Sequence, residues 1–134
     1  MDALRRVQRA LVPGGALVDL HPTCLNAHAE CGGVELGAFD ETEALEDVRA
    51  TDAGLFTVVH EGLFALELER TFEWVEAFDT ARELFETAAT WAGFRIPPEL
   101  GRAIRAASHA YEVHQDLVLR RLRALGFGAS QTLG

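Results

Sequence analysis

A chain of 134 residues, 49% of them apolar and 25% charged, has the size and composition of one soluble globular domain, which excludes the disordered and fibrous classes. All 12 basic residues are arginine and the formal net charge is −9, so the surface repels phosphate backbones and argues against nucleic acid as a partner. The start, Met1-Asp2-Ala3-Leu4-Arg5-Arg6, carries no apolar signal-peptide run, and no stretch approaches the length of a membrane span; a cytoplasmic protein with no membrane partner is expected, its Cys24 and Cys31 reduced.

In chain order, Asp2 can cap a short helix carrying Leu4, Val7 and Leu11, which Pro13-Gly14-Gly15 ends. The apolar run Ala16 to Leu20, closed by His21-Pro22, suits a strand buried on both faces and lying centrally in its sheet. Ala27 to Glu30 and Val34 to Phe39 are two extended stretches joined by Cys31-Gly32-Gly33, a hairpin signal. From Glu43 to about Gly62, Leu45, Val48, Leu55, Val59 and Leu63 fall near one face of a helical period.

The strongest strand signal is Phe64 to Phe78. Its even positions hold Phe64, Leu66, Leu68, Phe72, Trp74 and Phe78, and its odd positions hold Glu67, Glu69, Thr71, Glu73 and Asp79 just beyond, which predicts one apolar face and one acidic face. Thr80-Ala81-Arg82-Glu83 is a capping box, and the amphipathic pattern from Ala81 to Ala92 predicts a helix stopped by Gly93. Pro97-Pro98 can start another helix, with Leu100, Ile104 and Ala107 inward and an end near Ser108. Tyr111 to Leu125 fits either a strand (Tyr111, Val113, Leu117, Leu119) or a helix (Val113, Leu117, Leu122, Leu125). Residues 126–134, rich in glycine, read as a flexible tail.

Ala3-Leu4-Arg5-Arg6-Val7-Gln8-Arg9-Ala10-Leu11-Val12-Pro13-Gly14-Gly15-Ala16-Leu17-Val18-Asp19-Leu20 resembles the segment entering the fifth strand of class I S-adenosylmethionine-dependent methyltransferases. The runs Glu61-Gly62-Leu63-Phe64 and Phe78-Asp79 and the arginine-rich final segment are similar to bacterial methyltransferase-like proteins, and the resemblance spans about residues 2 to 125. It implies an α+β fold, a single C-terminal domain with a mixed, largely antiparallel sheet, and a strand for Tyr111 to Leu125. It also implies a truncated enzyme. The Gly-x-Gly-x-Gly loop and the ribose-holding acid that bind S-adenosylmethionine have no counterpart, since Gly32-Gly33-Val34-Glu35-Leu36-Gly37 neither follows an apolar strand ending in an acid nor leads into a helix. Catalysis by the isolated chain is therefore not expected, and S-adenosylmethionine enters only if the chain is part of a longer enzyme, the alternative being a small domain that uses the rear-half topology for binding or assembly.

Two other functions compete with that reading. One is a self-associating module, a homodimer in which the strand Leu17 to Leu20 pairs with a second copy. The other is a small-ligand-binding domain, with Asp19 and His21 at the carboxyl end of the strand as its residues. His21, Cys24, His28 and Cys31 place four zinc-type donors close in sequence, although three residues between Cys24 and His28 are few for a tetrahedral site, and chance clustering is the commoner cause. His60, His109 and His114 have no nucleophile partner at a motif spacing and read as solvent-facing or hydrogen-bonded. Arg120, Arg121 and Arg123 read as a solvated or carboxylate-paired face, Glu67, Glu69 and Glu73 as a solvated acidic face, and Trp74 and Trp91 as core.

Overall fold

The computed structural model describes residues 2–108 and 110–126. The expected glycine-rich tail beyond residue 126 and His109 lie outside them, as does the side chain of Asp2, the expected cap. The chain is α+β. Among the described residues there are four helices, α1 (Asp2–Ala10), α2 (Thr42–His60), α3 (Ala81–Ala88) and α4 (Pro98–Ala106), and five strands, β1 (Ala16–Pro22), β2 (His28–Cys31), β3 (Val34–Ala38), β4 (Phe64–Phe78) and β5 (Tyr111–Ala124). The strands form an open antiparallel sheet, where a mixed one was expected. In it β5 is hydrogen-bonded to β1, β2 and β4, and β2 also pairs with β3. The ambiguous last segment is a strand.

The chain divides into two compact units. The first comprises Met1–His21, Arg49–Thr71 and Val118–Gly134. Its core is Leu55, Val58, Phe64, Leu122 and Ala124, against which Leu4, Leu11, Leu17, Val59 and Leu63 pack. The turn at Pro13-Gly14-Gly15 is fastened to the end of β5, with Gly14 N donating to Ala124 O (2.8 Å) and Ala124 N to Gly15 O (2.7 Å). That fastening aligns β1 with β5. β1 nevertheless ends the sheet path, with β5 as its neighbour, and alternates half-buried Leu17, Asp19 and His21 with exposed Val18 (61%) and Leu20 (55%). The central, doubly buried position expected for it is thus corrected: an apolar run encodes a strand but not how many neighbours the strand has.

The second unit comprises Pro22–Val48 and Phe72–Leu117. Its core gathers Phe39, Phe78, Leu84, Leu100, Ile104, Tyr111 and Val113 around Ala27 and Ala29, with Trp91 packed edge-on to Phe39 and Phe94. β2 and β3 are joined by Gly32 and Gly33, both at positive φ (59° and 81°), the two-residue turn whose twist matches a right-handed hairpin. The capping box forms: Thr80 Oγ1 accepts from Glu83 N at 3.1 Å, while Glu83 Oε2 accepts from Asp79 N at 3.2 Å. Tyr111 Oη lies 2.9 Å from Ile104 O and 2.7 Å from Ala107 O, so a buried phenol satisfies the last turn of α4.

Only the two ends of β4, Phe64 and Phe78, are buried. Trp74 is 49% exposed and is not core as expected, because the middle of this long strand runs past both clusters of core residues. In β5 the buried parity changes along the strand, from Tyr111 and Val113 to Val118, Arg120, Leu122 and Ala124.

Gly93 is the most constrained glycine of the second unit. Its φ is +77°, and an added Cβ would lie 2.6 Å from Ala44 N and 2.8 Å from Ala44 Cα, where α2 begins. Gly93→Ala combines left-handed strain with a backbone clash and is expected to cost at least about 2 kcal/mol. Urea unfolding of the variant against the unmodified chain measures it.

Candidate functional site

In the first unit, Asp19 and His21 point to the same side of β1 because strand side chains alternate. They meet Asp52 from α2 and Arg120 from β5. The Arg120 guanidinium, 8% exposed, lies 2.6 Å from Asp52 Oδ1, 2.7 Å from Glu69 Oε2 and 4.0 Å from Asp19 Oδ2. Burial works against its charge, but hydrogen bonds to Asp52 and Glu69 outweigh that and raise its pKa above the ordinary value. It also covers the Phe56 ring at 5.3 Å from the centroid, within the roughly 6 Å reach of a cation–π contact. Arg121 and Arg123 reach Glu67 at 3.7 and 3.2 Å, so the arginine cluster is carboxylate-paired and two of the three glutamates of the acidic face are ion-paired to it.

His21 sits between two carboxylates, with Nδ1 2.8 Å from Asp19 Oδ2 and Nε2 3.4 Å from Asp52 Oδ1. These are ion-pair distances without hydrogen-bond alignment. Asp19 Oδ2 and both ring nitrogens of His21 therefore stay buried without a hydrogen-bond partner. Asp19 also lines a cavity of about 580 Å³ whose other walls include Leu4, Leu17, Val18, Leu55 and Thr57. An apolar cleft with a few polar groups is the usual form of a small-molecule site; of the two residues expected from the sequence, Asp19 lines this one and His21 stands against Asp19. Sequence reasoning missed Asp52 and Arg120, which only the packing of α2 and the pairing of β5 bring to β1.

The four expected zinc donors are not gathered. Cys24, at φ 60°, is buried with Sγ 3.9 Å from Pro22 O, and burial, then Glu41 and Asp47, push its thiol up to about 11, well away from the thiolate a metal requires. Cys31 turns toward the core together with Ala29, on the face of β2 opposite His28. What the second unit assembles instead is His28, Glu30 and His114, whose ligand atoms lie within 4.8 Å of one another. The β2–β5 register sets His28 opposite His114 and Glu30 opposite Glu112 on one sheet face. The signal in the sequence was His-x-Glu on β2 and Glu-x-His on β5, legible only once the two are known to pair.

Glu30 Oε2 lies 2.8 Å from His28 Nε2 and 3.3 Å from His114 Nε2; Glu112 Oε1 is 3.3 Å from the same His114 nitrogen, and Glu73 Oε1 is 3.4 Å from His114 Nδ1. The two imidazoles stack, centroids 5.1 Å apart and planes 12° from parallel. Burial lowers the pKa of His28, but its hydrogen bonds to the Asn26 carbonyl and to Glu30, with the charges of Glu35 and Glu30, raise it overall. His114 is thus hydrogen-bonded, as expected, whereas His60 is exposed at the end of α2.

Gly32 and Gly33 close a tight hairpin between antiparallel strands instead of opening a loop into a helix, so no helix N-terminus meets them. No family model, curated protein or solved structure matches the chain. No helix among the described residues is long and apolar enough to cross a membrane.

Glu41, 9% exposed, is the other buried acid of the second unit: Oε2 accepts from Ala27 N at 3.1 Å and Oε1 has no hydrogen-bond partner. Burial raises its pKa, only partly offset by the Ala27 N–H. A carboxyl whose folded pKa is raised favours folding in its protonated form, so its contribution is full below the unfolded pKa and is lost as pH rises through the raised value. Glu41→Gln imitates the protonated form. Its stability relative to the unmodified chain is expected to increase from acid toward neutral pH, read from urea midpoints across that range, and a difference independent of pH would refute the assignment.

Proposed function

We propose that the chain is the rear portion of a class I S-adenosylmethionine-dependent methyltransferase-like protein, contributing a small-ligand pocket at Asp19 and His21 and depending for the cofactor on residues it does not carry. One observation carries this reading. β1, entered through Pro13-Gly14-Gly15, ends its sheet path beside a cavity of about 580 Å³, with Val18 and Leu20 uncovered. A strand of buried composition with an uncovered edge is what remains when the preceding half of a parallel sheet is taken away. The buried, unmatched atoms of Asp19 and His21 support the ligand part, since an incoming donor and acceptor would satisfy them.

Isothermal titration of the chain with S-adenosylmethionine is expected to show no binding tighter than about millimolar, equivalent to roughly −4 kcal/mol. Micromolar binding would place a cofactor site on this chain and overturn the division of labour.

The same exposed edge favours a second reading, a homodimer formed across β1. Val18 at 61% and Leu20 at 55% exposure are apolar groups that a second copy would cover. Val18→Lys leaves the monomer's own core untouched while placing a charge in that seam, and is expected to weaken the dimer by several kcal/mol, on the order of 2–4. Sedimentation velocity at micromolar concentration decides, and a heat-stable monomer of 14.6 kDa for the unmodified chain excludes the dimer.

A further inference from the structure

His28, Glu30 and His114 have the arrangement of ligands around an ion, and their identity narrows which ion. Two imidazole nitrogens and one carboxylate oxygen suit borderline divalent transition metals, whereas magnesium and calcium prefer all-oxygen shells and softer ions prefer sulfur. The convergence is specific in its atoms. Nε2 of His28 and Nε2 of His114 both face Glu30 Oε2, at 2.8 and 3.3 Å. For bonds of about 2.0–2.1 Å, ligand atoms at the corners of a tetrahedron stand roughly 3.3–3.4 Å apart, so the His114–Glu30 spacing already fits and the His28–Glu30 spacing must open by about half an ångström.

The remaining nitrogen of His28 is hydrogen-bonded to an acceptor, and that of His114 has a carboxylate at ion-pair distance. Nδ1 of His28 lies 3.0 Å from Asn26 O, and Asn26 is in turn anchored by its Nδ2 donating to Asp116 Oδ2 at 2.7 Å. Nδ1 of His114 lies 3.4 Å from Glu73 Oε1. A carbonyl or carboxylate on the far nitrogen fixes the tautomer that leaves the near nitrogen's lone pair for a metal, and it is the usual support of metal-bound histidine. Glu112 Oε1 lies 3.3 Å from His114 Nε2 at the margin of the cluster. The three ligands are each about one-fifth exposed or less, with side-chain values of 21%, 20% and 14%, sheltered yet reachable from solvent. Among the described residues, the ion pairs of Glu30, Glu73 and Glu112 are made with these two histidines alone.

We propose that His28, Glu30 and His114 bind a borderline divalent transition-metal ion, zinc being the simplest, on the face of the β2–β5 pair opposite the core. The site lies within the second unit and does not rest on the methyltransferase-like reading. Three protein ligands leave a coordination position for water or an exchangeable anion, the pattern of sites that do more than brace a fold.

The test is titration of the full chain, stripped with a chelator and dialysed, with zinc chloride alone near neutral pH. One ion per chain at micromolar affinity or better is expected, with His114→Ala and the near-isosteric Glu30→Gln each weakening it by roughly tenfold or more, and with His21→Ala and Cys24→Ser leaving it unchanged. Cobalt(II) gives a second readout that needs no variant: visible d–d absorption without a thiolate-to-metal charge-transfer band. Binding no tighter than about millimolar in the unmodified chain overturns the proposal, as does affinity indifferent to Glu30→Gln, or a charge-transfer band that disappears in Cys24→Ser. Should His114→Ala fail to fold by circular dichroism, Glu30→Gln and the cobalt spectrum decide between the same two outcomes.

Discussion

A guanidinium that is 8% exposed must be paired, and the first unit is arranged around that requirement at Arg120. Asp52 brings α2 to it, Glu69 brings β4, and Asp19 on β1 stands at 4.0 Å, so one side chain on β5 is in reach of carboxylates from three other elements. Leu55 and Val58 on α2, Phe64 on β4 and Leu122 on β5 supply the apolar packing, which is not directional. The planar fork of arginine supplies the direction, since its donors match carboxylates only at defined angles. Because Asp52 is also 3.4 Å from His21 Nε2, the pairing that fastens α2 is the one that places a carboxylate on the candidate ligand site. Stability and site geometry are coupled there through a single residue.

The second unit reaches its order by strand register. Setting His28 against His114 and Glu30 against Glu112 sends Ala29, Cys31, Tyr111 and Val113 to the core and the polar four to the opposite face. A slip of one residue would bury two histidines and two glutamates and expose the aromatic ring that satisfies α4. Core burial therefore enforces the histidine–carboxylate cluster, whatever occupies it.

Local signals carried most of the elements. The capping box at Thr80, the proline at the start of α4 and the glycine pair of the hairpin each act within a few residues, and α4, β2–β3 and the start of α3 lie where those rules put them, although α3 ends at Ala88, short of the Ala92 expected from its apolar pattern. The failures share one cause. Ala16 to Leu20 shows strand propensity, yet being central or at the end of a sheet depends on other strands; Trp74 sits in phase with Phe64 and Phe78, yet phase cannot tell where a long strand outruns its core. Likewise Asp19 and His21 were legible because they are two residues apart on one strand, while Arg120 and Asp52 came from distant segments. The run His21, Cys24, His28 and Cys31, read mainly as chance clustering, illustrates the converse: closeness in sequence does not survive strand alternation, which turns His28 and Cys31 to opposite faces.

The two histidine clusters of this chain differ in what balances their carboxylates. Around His21 the acids Asp19, Asp52 and Glu69 face a permanent cation, Arg120, whose charge no ordinary pH removes. Added positive charge has little to gain there, and what stays unmatched is hydrogen bonding, at Asp19 Oδ2 and both ring nitrogens of His21. Around His28 and His114 the acids Glu30, Glu73 and Glu112 make their ion pairs, among the described residues, with imidazoles, which are neutral or charged according to their surroundings. Either protons supply the compensating charge, as the raised pKa of His28 indicates for the ring alone, or a divalent ion does so with directed bonds to the same nitrogens. Similar residue types thus stand in two different charge environments, one with a resident arginine and one in which the ion pairs among the described residues are with imidazoles.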